Sequence, residues 1–218
     1  MSPPRPRTEH ALRRDLSVVS RLLWERGWVA NHDGNASARL GPGRILVTPT
    51  STSKRLCEPS SMCVVDEKGR HRSGATRPPT EVGLHLCVYA ERTDVEAVVH
   101  AHPPHATALA VSGRALPCFL PEAVVSLGAQ VPLVPLASPG EEAERALRPF
   151  VAAHDAVLLE GHGAMAWGTD VEQAYLRLEL VEHLARIALL ATAAGGPRSL
   201  PGPLVDSLLA RRRQIFGR

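Results

Sequence analysis

The chain has 218 residues, of which 44% are hydrophobic, and a net charge of +3 at pH 7. That is enough apolar material for one sizeable core, so a single domain over 1–218 is expected, with the Pro/Arg-rich residues 1–7 frayed. No stretch approaches the ~20 apolar residues of a membrane helix, the N-terminus lacks the apolar centre of a signal peptide, and scarce aromatics with one basic triplet, Arg211 to Arg213, argue against nucleic acid. A cytoplasmic protein with reduced Cys57, Cys63, Cys87 and Cys118 follows, since no CxxC is present.

Leu12, Leu16, Val19, Leu22 and Leu23 recur at helical spacing and predict a helix over 8–26, stopped by Gly27. Asp33-Gly34-Asn35 signals a turn, followed by a short strand, the turn Gly41-Pro42-Gly43 and a strand over 44–48. The hydroxyl-rich loop 49–54 ends in Lys54 and has the donors to hold an anion, although a plain Ser/Thr turn would read the same way. A strand over 62–66 turns at 66–70. Thr80 suits the N-cap of a helix running to about Arg92, with Glu81 in its first turn, where a carboxylate also complements the helix dipole.

After a strand ending near His102, a short helix over 105–111 is ended by Gly113. The apolar segment 117–128 holds one acid, Glu122, and 130–136 reads as an extended edge strand interrupted by prolines. Ser138-Pro139-Gly140-Glu141 reads as a capping box with Pro at the first helical position, and Thr169-Asp170-Val171-Glu172 as a second box opening the longest helix, to about Ala194. A last helix runs over 203–213, and neither a repeat nor a dividing linker is present.

The stretch 95–105, VEAVVHAHPPH, is the chemical centre of the chain. Its β-branched run predicts a strand, and side chains two apart on a strand share a face, so His100 and His102 project together. Convergent imidazoles start a metal site, although a pair of hydrogen-bonded core histidines has the same spacing. A third histidine, His162, ends an apolar run between Gly161 and Gly163, whose flexibility permits close approach. Three histidines and an open position match a catalytic zinc better than a closed structural one.

Four ordered motifs give the chain a wider resemblance: Gly34-Asn35-Ala36-Ser37-Ala38-Arg39, Thr48-Pro49-Thr50, Pro79-Thr80-Glu81 with His85 and Tyr89, and Val98-Val99-His100-Ala101-His102-Pro103, completed by His162-Gly163. In these it resembles the class II aldolase/adducin family, of the fuculose-1-phosphate aldolase type, over roughly residues 10–215. The resemblance implies an α/β fold, a three-layer α/β/α arrangement with a central, mainly antiparallel sheet, assembled as a homotetramer with active sites at subunit interfaces. It implies zinc, or another divalent metal, on His100, His102 and His162, and Glu81 beside it as the catalytic acid/base. It also implies substrate phosphate held by Asn35, Thr50, Ser51 and Thr80.

The implied activity is aldol cleavage of a small sugar phosphate, of the fuculose- or deoxyribulose-1-phosphate type, to dihydroxyacetone phosphate and an aldehyde through a zinc-stabilised enediolate. A dehydratase, epimerase or decarboxylase of the same fold, or a non-catalytic adducin-like assembly module, are the alternatives. Three positions depart from the aldolase pattern: Ser51 stands where glycine is usual, Pro79 replaces a serine, and the segment 119–124 lacks the tyrosine that serves the aldehyde oxygen. Glu122 is the nearest ionisable group there and is the second candidate catalytic residue; Phe216 matches a C-terminal tyrosine.

Overall fold

The computed structural model describes residues 8–217; the expectation for residues 1–7 falls outside them. In chain order the elements are α1 (Glu9–Glu25), β1 (Asn35–Gly41), β2 (Arg44–Val47), β3 (Cys63–Val65), β4 (His71–Ser73), α2 (Val82–Glu91), β5 (Ala97–Ala101) and α3 (Pro104–Val111). There follow β6 (Leu116–Pro117), α4 (Pro121–Leu127), β7 (Gln130–Val131), β8 (Leu133–Val134), α5 (Glu141–Val151), β9 (Ala156–Leu159), β10 (Gly163–Gly168), α6 (Val171–Ala191) and α7 (Gly202–Phe216).

Eight strands form one mixed sheet in the order β4-β3-β2-β1-β5-β10-β9-β8, while β6 and β7 make a separate two-stranded ribbon. The outermost pair, β8 and β9, is parallel, and β1 and β10 flank the histidine strand β5 antiparallel to it. Alternation along β5 splits the core in two. Ala97, Val99 and Ala101 join one apolar cluster with Leu16 of α1, Leu109 of α3, Val124 of α4 and Leu178 of α6. Val98 joins another with Val88 of α2 and Leu147 of α5. Side chains two apart share a face, so His100 falls on the α2 side of the sheet. Among the described residues no helix is long and apolar enough to cross a membrane, and all four cysteines are free and buried.

The helix α1 begins as expected, its Thr8 hydroxyl accepting from the Ala11 N–H. Three other helix starts differ from the sequence expectation. Thr80 lies outside α2; Glu81 takes the capping position and makes no capping hydrogen bond, because its carboxylate is drawn to Asn35 and His162. Gly140, at φ +98°, precedes α5; that left-handed step breaks the path from Pro139 into the helix, and Ser138 contributes only its carbonyl, to the Ala143 N–H. For α6 the cap is Asp170, not Thr169: its carboxylate accepts from the Gln173 N–H, while Gln173 Oε1 accepts from the Thr169 N–H. A carboxylate at the positive end of a helix is the stronger of the two acceptors, which shifts the box by one residue.

Candidate metal and active site

Three elements bring the histidines together. His100 is the next-to-last residue of the buried strand β5, opposite Met165 of β10 and Asn35 of β1. His102 follows just past the strand, its N–H donating to the Trp28 carbonyl. His162 sits in the turn between β9 and β10. Ring centroids are 5.1 Å apart for His100 and His102, 4.6 Å for His100 and His162, and 4.8 Å for His102 and His162. Glycine at 163 permits this approach: a Cβ there would stand 2.6 Å from the Ala101 carbonyl oxygen and 2.7 Å from His102 Cδ2.

Second partners fix the tautomers. His100 Nδ1 lies 2.9 Å from the Ala164 carbonyl oxygen, and His102 Nδ1 lies 2.9 Å from Asp33 Oδ2. Each Nδ1 therefore donates, which leaves the Nε2 lone pair of each ring bare. Both Nε2 atoms are buried and have no hydrogen-bond partner among the described residues. The ligand atoms of the three histidines lie within 4.8 Å of one another. Two buried lone pairs aimed at a common point, with a third imidazole beside them, are the donor set a divalent cation satisfies. The residues present fit such an ion. Burial pushes the imidazolium of His100 down to about 3, against the pull of the Glu81 carboxylate, so the ring is neutral and ready to ligate. Burial and His162 also lower His102, with Asp33 opposing.

Glu81 closes the group. Its Oε1 lies 2.9 Å from His162 Nε2 and its Oε2 3.6 Å from His100 Nε2, and the Asn35 amide donates to Oε2 at 2.8 Å. Partial burial works to raise its pKa, but the His162 hydrogen bond, the two imidazoles beside it and the Asn35 amide together hold it well below the usual carboxylate range. It is a carboxylate at rest, half-buried at the mouth of the histidine cluster.

A cavity of about 260 Å³ opens over Glu81, His102 and His162. Of the residues expected to hold phosphate, Asn35, Thr50 and Thr80 line it. Ser51 is adjacent in the chain and exposed, with a left-handed φ of +52°. Asn35 is already engaged on both sides, by Glu81 and by His85. Lys54 is buried behind the loop, its ammonium donating at 3.2 Å to the His32 and Thr52 carbonyls and so tying the loop to the His32 side of the cavity. Glu122 is exposed in the first turn of α4 and does not line this cavity.

Sequence reasoning missed Asp33, read only as a turn residue, and the partnership of His85 with Asn35 and Ser37. The rule that a ligating histidine donates its other nitrogen to an oxygen would have singled out Asp33 as the nearest carboxylate to the cavity loops. Nothing local in the sequence pairs residues 37 and 85.

Comparison with known proteins gives the following. Residues 14–189 match the family model described as the Class II Aldolase and Adducin N-terminal domain. A 3-oxo-tetronate 4-phosphate decarboxylase of Cupriavidus necator is 33% identical over 215 residues, covering 96% of this chain and 97% of its own. An L-fuculose phosphate aldolase of Methanococcus maripaludis is 32% identical over 171 residues, 78% of this chain and 91% of its own. Among solved structures, YgbL of Klebsiella pneumoniae, described as a candidate aldolase/epimerase/decarboxylase, superposes with a TM-score of 0.85 at 30% identity, covering 93% of this chain and 99% of that one.

Proposed function

Because the chain belongs to the class II aldolase/adducin family, we propose that it is a divalent-metal-dependent carbon–carbon lyase that releases CO2 from a small phosphorylated 3-oxo sugar acid. The observation behind this reading is the supply of proton-transfer groups. Loss of CO2 from a 3-oxo acid consumes one proton, delivered to the carbon left behind. Aldol cleavage needs two transfers, one off the substrate hydroxyl and one onto carbon. The chain contains two tyrosines. Tyr89 is buried against Ser37, and Tyr175 stacks on Trp28 with its hydroxyl donating to Glu179. No copy of this chain therefore has a phenol for an aldehyde oxygen, whereas Glu81 suffices for a single transfer. The decarboxylase relative that matches most of the chain supports the same reading.

His100, His102 and His162 would hold the cation, zinc being favoured by three imidazoles. When bound, it supplies Lewis-acid stabilisation of the negative charge that develops as the carbon–carbon bond breaks. Glu81 takes a proton from solvent and gives it to the nascent carbon. Asn35 holds the carboxylate in place, and Thr50 and Thr80, with Ser51 at the rim, bind the phosphate and orient the substrate. Lys54 fixes the loops behind them.

Aldol cleavage of a ketose 1-phosphate is the second reading, favoured by the fuculose phosphate aldolase relative. It assigns the aldehyde-side proton to Glu122 reaching a neighbouring copy's cavity in a homotetramer. The deciding experiment offers zinc-loaded protein a 3-oxo sugar acid 4-phosphate and, separately, fuculose 1-phosphate. CO2 from the first, slowed about 100-fold or more in Glu81→Gln, supports decarboxylation. Dihydroxyacetone phosphate from the second, with no CO2 from the first, transfers the assignment to the aldolase.

A further inference from the structure

Behind Glu81 and the Asn35 that holds it runs a line of buried polar side chains, Ser37, His85 and Tyr89, that neither catalysis nor ligation has used. Asn35 and Ser37 lie two apart on β1, so both face α2. Glu81, His85 and Tyr89 lie four apart along α2 and its cap, so they form one stripe facing β1. Two strand residues span roughly 6.7 Å and four helical residues roughly 6 Å. The two rows therefore interdigitate. The contacts are Tyr89 OH to Ser37 Oγ at 2.8 Å, Ser37 Oγ to His85 Nδ1 at 2.7 Å, His85 Nε2 to Asn35 Oδ1 at 2.5 Å, and Asn35 Nδ2 to Glu81 Oε2 at 2.8 Å.

One end of the line fixes every proton in it. Asn35 donates from its amide to Glu81 Oε2 and sets its carbonyl oxygen against His85, and a carbonyl oxygen only accepts. His85 Nε2 must then carry the hydrogen. His85 is fully buried, and burial pushes it down to about 4, so it is neutral and its Nδ1 accepts. Ser37 consequently donates to Nδ1 and is left as acceptor for the Tyr89 hydroxyl. Reversing any link would set Asn35 Oδ1 against Glu81 Oε2, two acceptors face to face, unless the carboxyl were protonated.

We infer that Tyr89, Ser37 and His85 are positioning residues, a one-way hydrogen-bond relay that orients the Asn35 amide and through it holds Glu81 as an aligned carboxylate. The functional consequence rests on Glu81 acting as the acid/base; the polarity of the relay does not. Hydrogen-bonded chains of this kind strengthen one another in a low dielectric, and partners one step removed from a reactive group typically contribute 10–100-fold.

The test reads the two parts separately on the full-length, metal-loaded protein. NMR of 15N-histidine-labelled wild type should show His85 as a single tautomer, protonated at Nε2 and bare at Nδ1. This needs no substrate and no variant. In Ser37→Ala the Asn35 carbonyl should still hold the hydrogen on Nε2, while the Nδ1 resonance shifts as it loses its donor, with kcat down about 10–100-fold, KM and metal content unchanged, and recovery in Ser37→Thr, which keeps the donor. A wild-type His85 protonated at Nδ1 overturns the relay. So does a Ser37→Ala protein with wild-type kcat on whichever substrate the enzyme turns over. If no tested substrate is turned over, the reading of Glu81 fails while the tautomer still decides the relay.

Discussion

Two buried clusters of ionisable side chains meet the same electrostatic problem in opposite ways. At the first, Asp155, with no exposed surface, sits just before β9 and receives three arginines from three elements. Arg92 beyond α2 reaches it at 3.2 Å, Arg177 of α6 at 3.1 Å, and Arg212 of α7 in a very short contact. The same guanidiniums spend further donors on backbone carbonyls, Arg92 on Val151 and His154, Arg177 on Trp167, and Arg212 on Val125 and Ser126. Phe216 lies under both Arg177 and Arg212. At the histidine cluster the reverse holds: each second nitrogen is tied down while the Nε2 atoms of His100 and His102 face inward without partners. Charge consumed internally fastens elements together, and lone pairs left over mark a place for something else to bind.

Removing one member of each cluster tests that contrast. Asp155→Ala strands three guanidiniums in the interior and should cost about 3–5 kcal/mol in urea unfolding, the range for breaking a buried ion pair from one side. Burial already pushes Arg177 down to about 10 despite Asp155, so losing the aspartate makes its charge harder still to keep. His162→Ala, at a half-buried member of the proposed ligand set, should change the stability of the metal-free protein by less than about 1 kcal/mol, yet abolish stoichiometric metal by mass spectrometry. Equal losses of stability in the two variants, or retained metal in His162→Ala, would erase the distinction.

Acid should act on the relay beneath the site through His85. His85 has a pKa near 6.5 in the unfolded chain and about 4 when folded. Between those values the unfolded state binds a proton that the folded state refuses, so stability falls as pH drops through that window. The loss from His85 should be on the order of 3 kcal/mol at pH 4, seen as a falling urea midpoint between pH 7 and pH 4. In His85→Gln that part of the slope should disappear; an undiminished slope would assign the acid sensitivity elsewhere.

What could be read in advance follows the range of the interactions. The helix α1, the hairpin of β1 and β2, the strand β5 and the helix α6 were legible because their periodicity is local. The His100/His102 pair was legible for the same reason, and His162 through its flanking glycines. Helix starts slipped by one or two residues where several capping groups competed, as at Thr169 and Asp170. The ribbon of β6 and β7 and the edge strand β8 are each two residues long, and a run such as QVPLVPL does not say which residues pair. The relay depends on Ser37 meeting His85, 48 residues away, and the Asp155 cluster on arginines from residues 92, 177 and 212. No local pattern encodes such meetings; they arise from strand register and helix docking.

The smallest expected effect lies at the rim of the cavity, where one residue combines an unusual backbone conformation with a proposed binding hydroxyl. Ser51 occupies φ +52°, a region that costs an L-residue roughly 1 kcal/mol and glycine almost nothing. Ser51→Gly relieves that strain but adds freedom to the unfolded chain, worth about 0.4–1 kcal/mol in the opposite sense. Thermal unfolding should therefore move by no more than about 0.5 kcal/mol either way. Ser51→Ala keeps the strain and the chain stiffness and removes only the hydroxyl. If that hydroxyl reaches the substrate phosphate, both variants should raise KM by the several-fold that one lost hydrogen bond brings, with kcat intact. A rise confined to Ser51→Gly would instead assign the residue to holding the shape of the loop, leaving Thr50 and Thr80 as the hydroxyls that meet the phosphate.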